Sequence, residues 1–227
     1  MDFTFDPKTQ RYRFVRGAGR GQFASDRQVR ELTKTAIAQT KGDIKTIGKL
    51  LIDGKISVST WESETARALK VLHIQMATLG KGGLKRMNQS DYGAVGRELK
   101  FQYEKLRGFS EEIIRNGMSV AQFEARLDQY SNAARTSYEQ ARMRSHKQDG
   151  FNWEKRIRTK RESCAPCLSF ASLGWQPIGT LPAPTKQCDC MSSCGCYKVY
   201  SREIPNDSFQ LSKSRYGWIS QRLANFY

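Results

Sequence analysis

Apolar residues recur at intervals of three and four between residues 25 and 149, which is the spacing of amphipathic helices. A first helix is predicted to begin after Ser25, which can act as its N-cap, and to end near Ile52, ahead of Gly54. Because the pattern continues to the end of this region, residues 25–149 are predicted to form a helical domain.

Capping residues and glycines divide the rest of this region into further helices. The last of them is the longest, and its aromatic and leucine side chains recur on one side. The predicted bounds are from the capping box of Ser59 and Glu62 to Leu79, with Gly80 at its end; from about Asp91 to Asn116, interrupted at Gly108; and from the capping box of Ser119 and Gln122 to about residue 147.

The segments on either side of the helical region differ from it in composition. Residues 1–24 mix aromatic residues, glycines and arginines, which predicts an extended N-terminal arm. Residues 150–204 hold every cysteine and two strand-like segments, at 153–161 and 197–200, and residues 205–227 form a polar tail with an aromatic end. The predicted fold class is therefore mainly α, a helical body followed by a small β/loop zinc-knuckle module. Aromatic residues on short terminal segments can anchor to another chain, so one or both ends are predicted to dock on a neighbouring protein.

All six cysteines lie in one short window, as Cys164-Ala-Pro-Cys167 and, after twenty further residues, Cys188-Asp-Cys190-Met-Ser-Ser-Cys194-Gly-Cys196. A disulfide framework would be spread along the chain, whereas a metal site needs its ligands around one point. The first pair has the CxxC spacing of a zinc knuckle. The pattern predicts a structural zinc site with about one Zn²⁺ per chain.

Six thiols are present for the four corners of a zinc tetrahedron. His73 lies in an apolar run and is predicted to be a core or groove residue, not a ligand. A two-zinc cluster with bridging sulfurs is an alternative to a single ion. The predicted ligands are Cys164 and Cys167 with one residue from each CxC pair, Cys188 and Cys194 being favoured and Cys190 and Cys196 being alternates.

Disulfide bonds and redox chemistry are two other uses that clustered cysteines can have. The N-terminus carries an early acidic residue and no apolar run, so no signal peptide is predicted, and no segment has the length of a membrane span. An intracellular compartment is expected, where thiols stay reduced, and this disfavours disulfides of an exported protein. Redox chemistry at the CxxC motif would need a βαβ unit, which the pattern does not predict.

The chain is strongly basic, with 38 Lys and Arg residues against 22 Asp and Glu and a formal net charge of +16. A charge of this size is typical of proteins that contact nucleic acid or an acidic partner surface. The run just before the first cysteine pair is the candidate contact, and a solvated face is the alternative interpretation. Its members are Arg156, Arg158, Lys160 and Arg161.

These motifs together resemble the head morphogenesis, or minor head, proteins of tailed bacteriophages, the group typified by the Mu F protein. In that family a CxxC near a strand is followed by a His-Pro-x-Cys-Arg-Cys-like ending. Here the family's His is absent, so that Cys188 or Cys190 would replace it, and Gly195 stands where Arg is usual. The matching features are Cys164 and Cys167, the Gly174-Trp175-Gln-Pro177 loop, Cys194-Gly-Cys196, and, as in phage structural proteins, Gly54-Lys-Ile-Ser57, Trp61 and Gly82-Gly83.

The resemblance implies a structural virion protein, bound to the portal or capsid protein at or near the portal vertex inside the head. Its expected role is head assembly or DNA packaging and delivery, with packaged DNA as a non-specific contact, an oligomeric state in the virion and the host cytoplasm as the place of assembly. No nucleophile-and-base pair, phosphate loop or paired acids are evident in the sequence, so an enzyme is not predicted. The alternative function is a zinc-ribbon regulator that binds nucleic acid.

Overall fold

Five long helices form most of the chain in this computed structural model, which describes residues 3–9, 11–16, 19–159 and 162–205. A small strand region near the C-terminus carries the cysteines. The fold class predicted from the sequence, mainly α with a C-terminal β/loop region, is therefore confirmed. The long helices are α1 (Asp26–Ile52), α2 (Val58–Lys81), α3 (Gln89–Asn116), α4 (Val120–Ala133) and α5 (Arg135–Gln148).

The helices α1 and α4 begin at the N-cap residues that the sequence predicts. Ser25 caps α1 and forms a capping box with Gln28, and Ser119 does the same for α4 with Gln122. After α1 the chain turns at Gly54, where φ is +69°, a value that favours glycine. These predicted boundaries are confirmed.

The predicted start and end of the second helix are wrong. α2 is capped by Ser57 instead of Ser59, since the Ser57 side chain accepts a hydrogen bond from the Thr60 amide. This cap places Ile56 just before the helix and Trp61 in its first turn, and both pack in the same apolar cluster. The pair has the positions of a hydrophobic staple, which a cap at Ser59 would lose. The helix then continues beyond Gly80 to Lys81.

Two further boundaries also differ from the prediction. α3 runs without interruption through Gly108, because a glycine within an otherwise well-packed helix weakens it without ending it. The predicted single helix over 120–147 is instead two helices, α4 and α5, that meet at Ala134. The break sets the direction of α5, which contacts both α2 and the cysteine region.

The helices pack most closely where α2 crosses α5. A Cβ atom added to Gly80 would lie 2.3 Å from the backbone oxygen of Tyr138 and 2.9 Å from the backbone nitrogen of Arg142, so only glycine allows this approach. The buried apolar side chains of the helical body form separate clusters. The one around Trp61 contains Ile44, Trp61, Leu69, Leu106, Phe109, Phe123, Leu127 and Tyr130.

The prediction of an extended, unpacked arm over residues 1–24 is wrong. This segment forms an antiparallel sheet in the order β1 (Phe3–Asp6), β2 (Arg11–Phe14) and β3 (Phe23–Ala24). Phe3, Phe5 and Tyr12 are buried against α2 and α5, and the Phe5 amide donates to the carbonyl of Gly82 at 2.9 Å. Alternate residues of a strand share a face, so the aromatic face of the sheet packs against the helices. These aromatics are core residues and cannot anchor a partner.

The cysteine region joins the same core. β4 (Trp153–Ile157) pairs antiparallel with β6 (Tyr197–Ser201), as the sequence predicted, and with the short strand β5 (Gln176–Pro177). A short helix, α6 (Ala165–Ser172), follows β4. Phe151 and Tyr200 pack with the cluster that holds Phe5, so residues 150–204 share apolar packing with the helical body. The docking role predicted for residues 206–227 lies outside the described residues.

Candidate metal centre

The fold brings all six cysteines to one place beside the start of α5. Cys164 is the N-cap of α6 and Cys167 lies within that helix. The pairing of β4 with β6 carries the later cysteines back to α6. Cys167 is fully buried together with Cys194 and Cys196, and Cys188 is nearly so. Cys164 and Cys190 pack against this buried group, so the cysteines form their own small core.

The sulfur atoms are spaced as metal ligands are. In one group the sulfurs of Cys164, Cys167 and Cys190 all lie within 4.8 Å of one another, and in a second group the same is true of Cys167, Cys194 and Cys196. The sulfurs of Cys167 and Cys194 are 3.7 Å apart. Two sulfurs on a tetrahedral zinc, each about 2.3 Å from the ion, would be about 3.8 Å apart. The cluster can therefore hold a metal ion.

The predicted ligand set is only partly reflected in this geometry. Cys164 and Cys167 lie together, as expected. The alternates Cys190 and Cys196 complete the three-sulfur groups, whereas Cys188 belongs to neither group and instead interacts with Cys167 and Cys194. The choice of Cys188 and Cys194 as the other two ligands therefore stays a prediction. All six are free thiols, and no disulfide joins them.

Burial opposes ionisation of these thiols, although backbone hydrogen bonds outweigh it at Cys194 and lower the pKa of that thiol. Burial raises the pKa of the Cys167 thiol, and the neighbouring thiols raise it further. Burial also raises the pKa values of Cys188 and Cys196. It opposes ionisation of Cys164 too, but hydrogen bonds from the backbone of Cys167 and from Cys190 outweigh it and lower the pKa of Cys164 to about 6. A metal ion would supply the missing positive charge for the buried thiolates.

The loop that carries the later cysteines has a strained backbone. Among the described residues, the non-glycine residues with positive φ are Thr185, Gln187 and Met191, at +83°, +53° and +43°. All three flank Cys188 and Cys190. A non-glycine residue in this conformation costs about 1–3 kcal/mol and persists only where other interactions impose it. Bonds from the cysteines to a metal are one interaction that would do so.

A buried arginine beside the cluster also fits an ionised site. Arg156 is only 1% exposed, its Nη2 donates to the carbonyl of Pro182 at 2.5 Å, and its guanidinium stands 5.3 Å from the Phe170 ring. Within the part of the chain that the structure describes, its Nε and Nη1 atoms have no hydrogen-bond partner. The positive charge of Arg156 favours the thiolate of Cys196. A buried cation with unused donors is stabilised by an anionic neighbour, and a metal–thiolate cluster would be one.

The surface role predicted for the basic run is wrong for Arg156, because its side chain points into the module and is buried. Alternate residues of β4 face opposite sides, which places Glu154 and Arg156 inside. Arg158 follows the strand and is exposed, as a contact residue must be. Lys160 and Arg161 lie outside the described residues.

Arg135, at the start of α5, attaches the cluster to the helical body. Its guanidinium donates hydrogen bonds to the backbone carbonyls of Cys194 and Cys196, and it pairs with Glu139 at 3.4 Å. Next to it, the hydroxyls of Thr136 and Thr185 are 2.6 Å apart. Sequence reasoning missed Arg135, because an arginine in a polar helix gives no sign that it will cap a distant turn.

A buried ion pair fixes the loop between α6 and the later cysteines. Lys198 donates to Glu154 at 2.9 Å and to the carbonyl of Leu181 at 2.5 Å, and the amide of Leu181 donates to the other Glu154 oxygen at 2.7 Å. Both charged side chains are almost fully buried. Burial lowers the pKa of Lys198, and Glu154 partly opposes this effect. The pair was also missed, although the alternation of polar residues along both strands was a visible signal.

Both histidines lie in the helical body, away from the cysteines. His73 is fully buried, with its Nδ1 atom 2.8 Å from the Ser137 hydroxyl, which confirms its predicted place in the core. His146 stacks on Tyr200, with ring centres 4.4 Å apart, and its Nδ1 atom is 2.9 Å from the carbonyl of Arg142.

Acid is expected to destabilise the fold through these histidines. Burial lowers the pKa of His73 to about 4, and burial with the nearby charge of Arg142 lowers that of His146 to about 3. Below about pH 6.5 the unfolded chain binds protons that the folded chain does not, so stability falls from there to about pH 4. Each pKa unit corresponds to about 1.4 kcal/mol, so the loss is on the order of several kcal/mol.

Urea unfolding at a series of pH values would check this. His146→Phe, which keeps an aromatic ring against Tyr200, should lose stability less steeply between pH 6.5 and 4. Any release of metal in acid affects the wild type and His146→Phe equally, so it does not change the difference between their stabilities. Equal slopes would contradict the role given to His146.

The chain has no recognisable relative in three kinds of comparison: no family model, no curated protein and no solved structure matches it. Within the described residues, every helix is too short or too polar to cross a membrane.

Proposed function

We propose that this chain is a non-enzymatic virion protein of a tailed phage, a minor head protein that binds the portal or capsid and acts in head assembly or in DNA packaging and delivery. One observation carries the proposal. The resemblance to head morphogenesis proteins implies that the CxxC and the final CxC belong to one site. The two motifs lie together in the structure, with the sulfurs of Cys167 and Cys194 3.7 Å apart. The module they close is fastened to a helical body by Arg135.

Zinc is the ion that suits this set of donors. Thiolates are soft ligands that select Zn²⁺ over Mg²⁺ or Ca²⁺. A site whose corners are all cysteines leaves no open position for a substrate, which is the form of structural zinc sites. When bound, the ion would contribute folding energy by closing the loop, and Cys164, Cys167 and the later cysteines would hold it.

The motif that resembles phage structural proteins, Gly54-Lys-Ile-Ser57 with Trp61 and Gly82-Gly83, has structural roles in this fold. These roles support a resemblance of fold. Gly54 turns the chain after α1, Ser57 caps α2 and Trp61 is completely buried. Gly82 and Gly83 end α2 and have positive φ. A Cβ at Gly82 would lie 2.4 Å from the Cβ of Phe5, and a Cβ at Gly83 would lie 2.3 Å from the carbonyl oxygen of Phe3. The two glycines therefore allow β1 to pack against the end of α2.

Virion incorporation tests this proposal. The chain would be produced with the portal and capsid proteins encoded beside it, and purified heads would be analysed by quantitative mass spectrometry. We expect the chain in heads at a few copies and in a constant ratio to the portal. Heads that form normally without the chain and never contain it would overturn the proposal. Binding to short duplex DNA with sequence preference would favour the regulator instead.

The outer face of the N-terminal sheet is a better DNA-contact surface than the run before Cys164. Arg11 and Arg13 are exposed on β2, and their guanidinium groups stand 4.9 and 4.3 Å from the ring centre of Phe23. Arg20 is exposed on the turn that leads to Phe23. A basic face with an exposed aromatic ring is suited to sequence-independent contact with phosphates.

Replacing Arg11, Arg13 and Arg20 by glutamine should therefore weaken DNA binding and make it less sensitive to salt. Each lost phosphate contact lowers the slope of log affinity against log salt by about one, so a reduction of about three is expected. Fluorescence anisotropy over a salt series measures it. A matched control replaces three exposed basic residues of α3, Arg97, Lys100 and Arg107, and should leave the slope unchanged. Equal effects of the two triple variants would show that only net charge matters.

A further inference from the structure

The six cysteines form two three-sulfur groups that share one residue. Cys164 and Cys190 lie with Cys167 on one side, and Cys194 and Cys196 lie with Cys167 on the other. Cys167 is completely buried between them. A thiol that belongs to two ligand groups at once is in the position of a bridge between two ions.

A single zinc ion leaves part of this arrangement without a role. One tetrahedral ion takes four sulfurs, so two of the six clustered thiols would remain without metal. Two tetrahedral ions that share two sulfurs require six, since each has two ligands of its own and two in common. The number of thiols matches the second case, and the two three-sulfur groups, which share Cys167, contain five of the six ligands.

We propose that the cluster binds two zinc ions through six thiolates, with Cys167 as a shared ligand. This inference rests on the metal binding proposed above. Cys164 and Cys190 are the separate ligands of one ion, and Cys194 and Cys196 are those of the other.

Cys188 is the second shared ligand. Its thiol interacts with both Cys167 and Cys194, which places it beside the second group. Only Asp189 separates it in sequence from Cys190, a member of the first group, so its sulfur is also tethered to that side. It lies in the buried cluster of cysteines but outside both three-sulfur groups, so its sulfur has to move towards Cys190 to bind both ions.

The charges around the cluster suit this composition. Six thiolates and two divalent ions have a net charge of −2. Arg135 donates to the carbonyls of the final CxC, and buried Arg156 favours the thiolate of Cys196. These two guanidinium groups are therefore placed to offset the remaining negative charge.

Native mass spectrometry of the full chain, produced in zinc-supplemented medium and exchanged into volatile buffer, counts the ions directly. We expect two zinc ions per chain. One ion per chain would overturn the two-ion inference and leave the metal site of the proposed function intact. A chain without metal would overturn both.

Single substitutions identify the shared ligand. Cys190→Ser removes a separate ligand of one ion, and we expect one zinc to remain. Cys167→Ser removes a ligand of both, and we expect neither ion to be held. The control Ser169→Ala, at an exposed position on the same helix, should keep two. Equal zinc content in Cys190→Ser and Cys167→Ser would overturn the bridging role.

Cadmium NMR of the cadmium-substituted wild-type protein tests the bridge without any substitution. Two coupled cadmium resonances are expected from two ions that share a sulfur ligand, and a single resonance would contradict the bridged pair.

Discussion

Replacing Cys167 by serine is expected to abolish the proposed metal binding and to unfold the cysteine region while most of the helical signal remains. Cys167 belongs to both three-sulfur groups, so its loss leaves each group with only two sulfurs. Structural zinc binding is worth about 10–16 kcal/mol, which is comparable to the whole stability of a typical domain, about 5–15 kcal/mol. Residues 150–204 should become sensitive to protease, and limited proteolysis with mass mapping, beside elemental analysis for zinc, measures both effects.

The helical body should survive this change at a lower melting temperature. It keeps its own buried cluster around Trp61 but loses the packing of Phe151 and Tyr200 against Phe5. The control Ser169→Ala should retain zinc, protease resistance and melting temperature. Zinc content and resistance in Cys167→Ser equal to those of the control would contradict the structural role of the site.

Replacing Gly80 by alanine is expected to have the largest effect in the helical body. The added Cβ would lie within 2.3 Å of the Tyr138 carbonyl oxygen, a backbone atom that cannot rotate away. Separating α2 from α5 to relieve the clash should cost about 3 kcal/mol, the upper end for overpacking, even after the better helix propensity of alanine. For a chain of this length the melting temperature should fall by about 6 to 12 °C.

Gly108→Ala is the matched control for that change. Gly108 also lies within a helix, but it is exposed, and none of the described residues comes within 4 Å of a Cβ at that position, apart from its neighbours in the helix. Alanine there should stabilise the protein by up to about 1 kcal/mol. Thermal unfolding of the two variants should therefore shift in opposite directions. A destabilised Gly108→Ala would contradict the uninterrupted course of α3.

Local signals were enough to predict part of the fold. The boxes at Ser25 and Ser119 involve only residues three apart, so the sequence contains all the interactions that set those helix starts. The start of α2 was harder, because Ser57 and Ser59 both offer a capping hydroxyl. Ile56 and Trp61 settle it by packing together, and such packing outweighs a second capping signal nearby.

Tertiary packing decided the boundaries that the sequence did not reveal. Ala134, where α4 and α5 meet, is a strong helix former and gives no sign of a break. The alternation of Phe3 and Phe5 was a visible strand signal, but the groove that receives them is made by α2 and α5 from distant parts of the chain. A segment this short can form a sheet only with such support.

The candidate site was predictable in its chemistry and not in its assembly. The spacing of the cysteines predicted a shared site because thiols clustered in sequence can reach one ion. Which thiols meet depends on the pairing of β4 with β6 and on the clamp at Arg135, both of which join residues far apart in sequence. Arg156 is buried because alternate residues of β4 face the interior. Grouping it with the neighbouring basic residues as one surface run ignored this alternation.

A structural zinc centre held by the cysteines, between the β/loop region and the helical body, should be visible by anomalous diffraction. Crystals of the full chain would be measured on either side of the zinc absorption edge. We expect anomalous density enclosed by the sulfurs of Cys167, Cys194 and Cys196, beside the carbonyls to which Arg135 donates. Crystals of freshly purified protein with no anomalous density there, and with the cysteines joined as disulfides, would contradict the zinc centre.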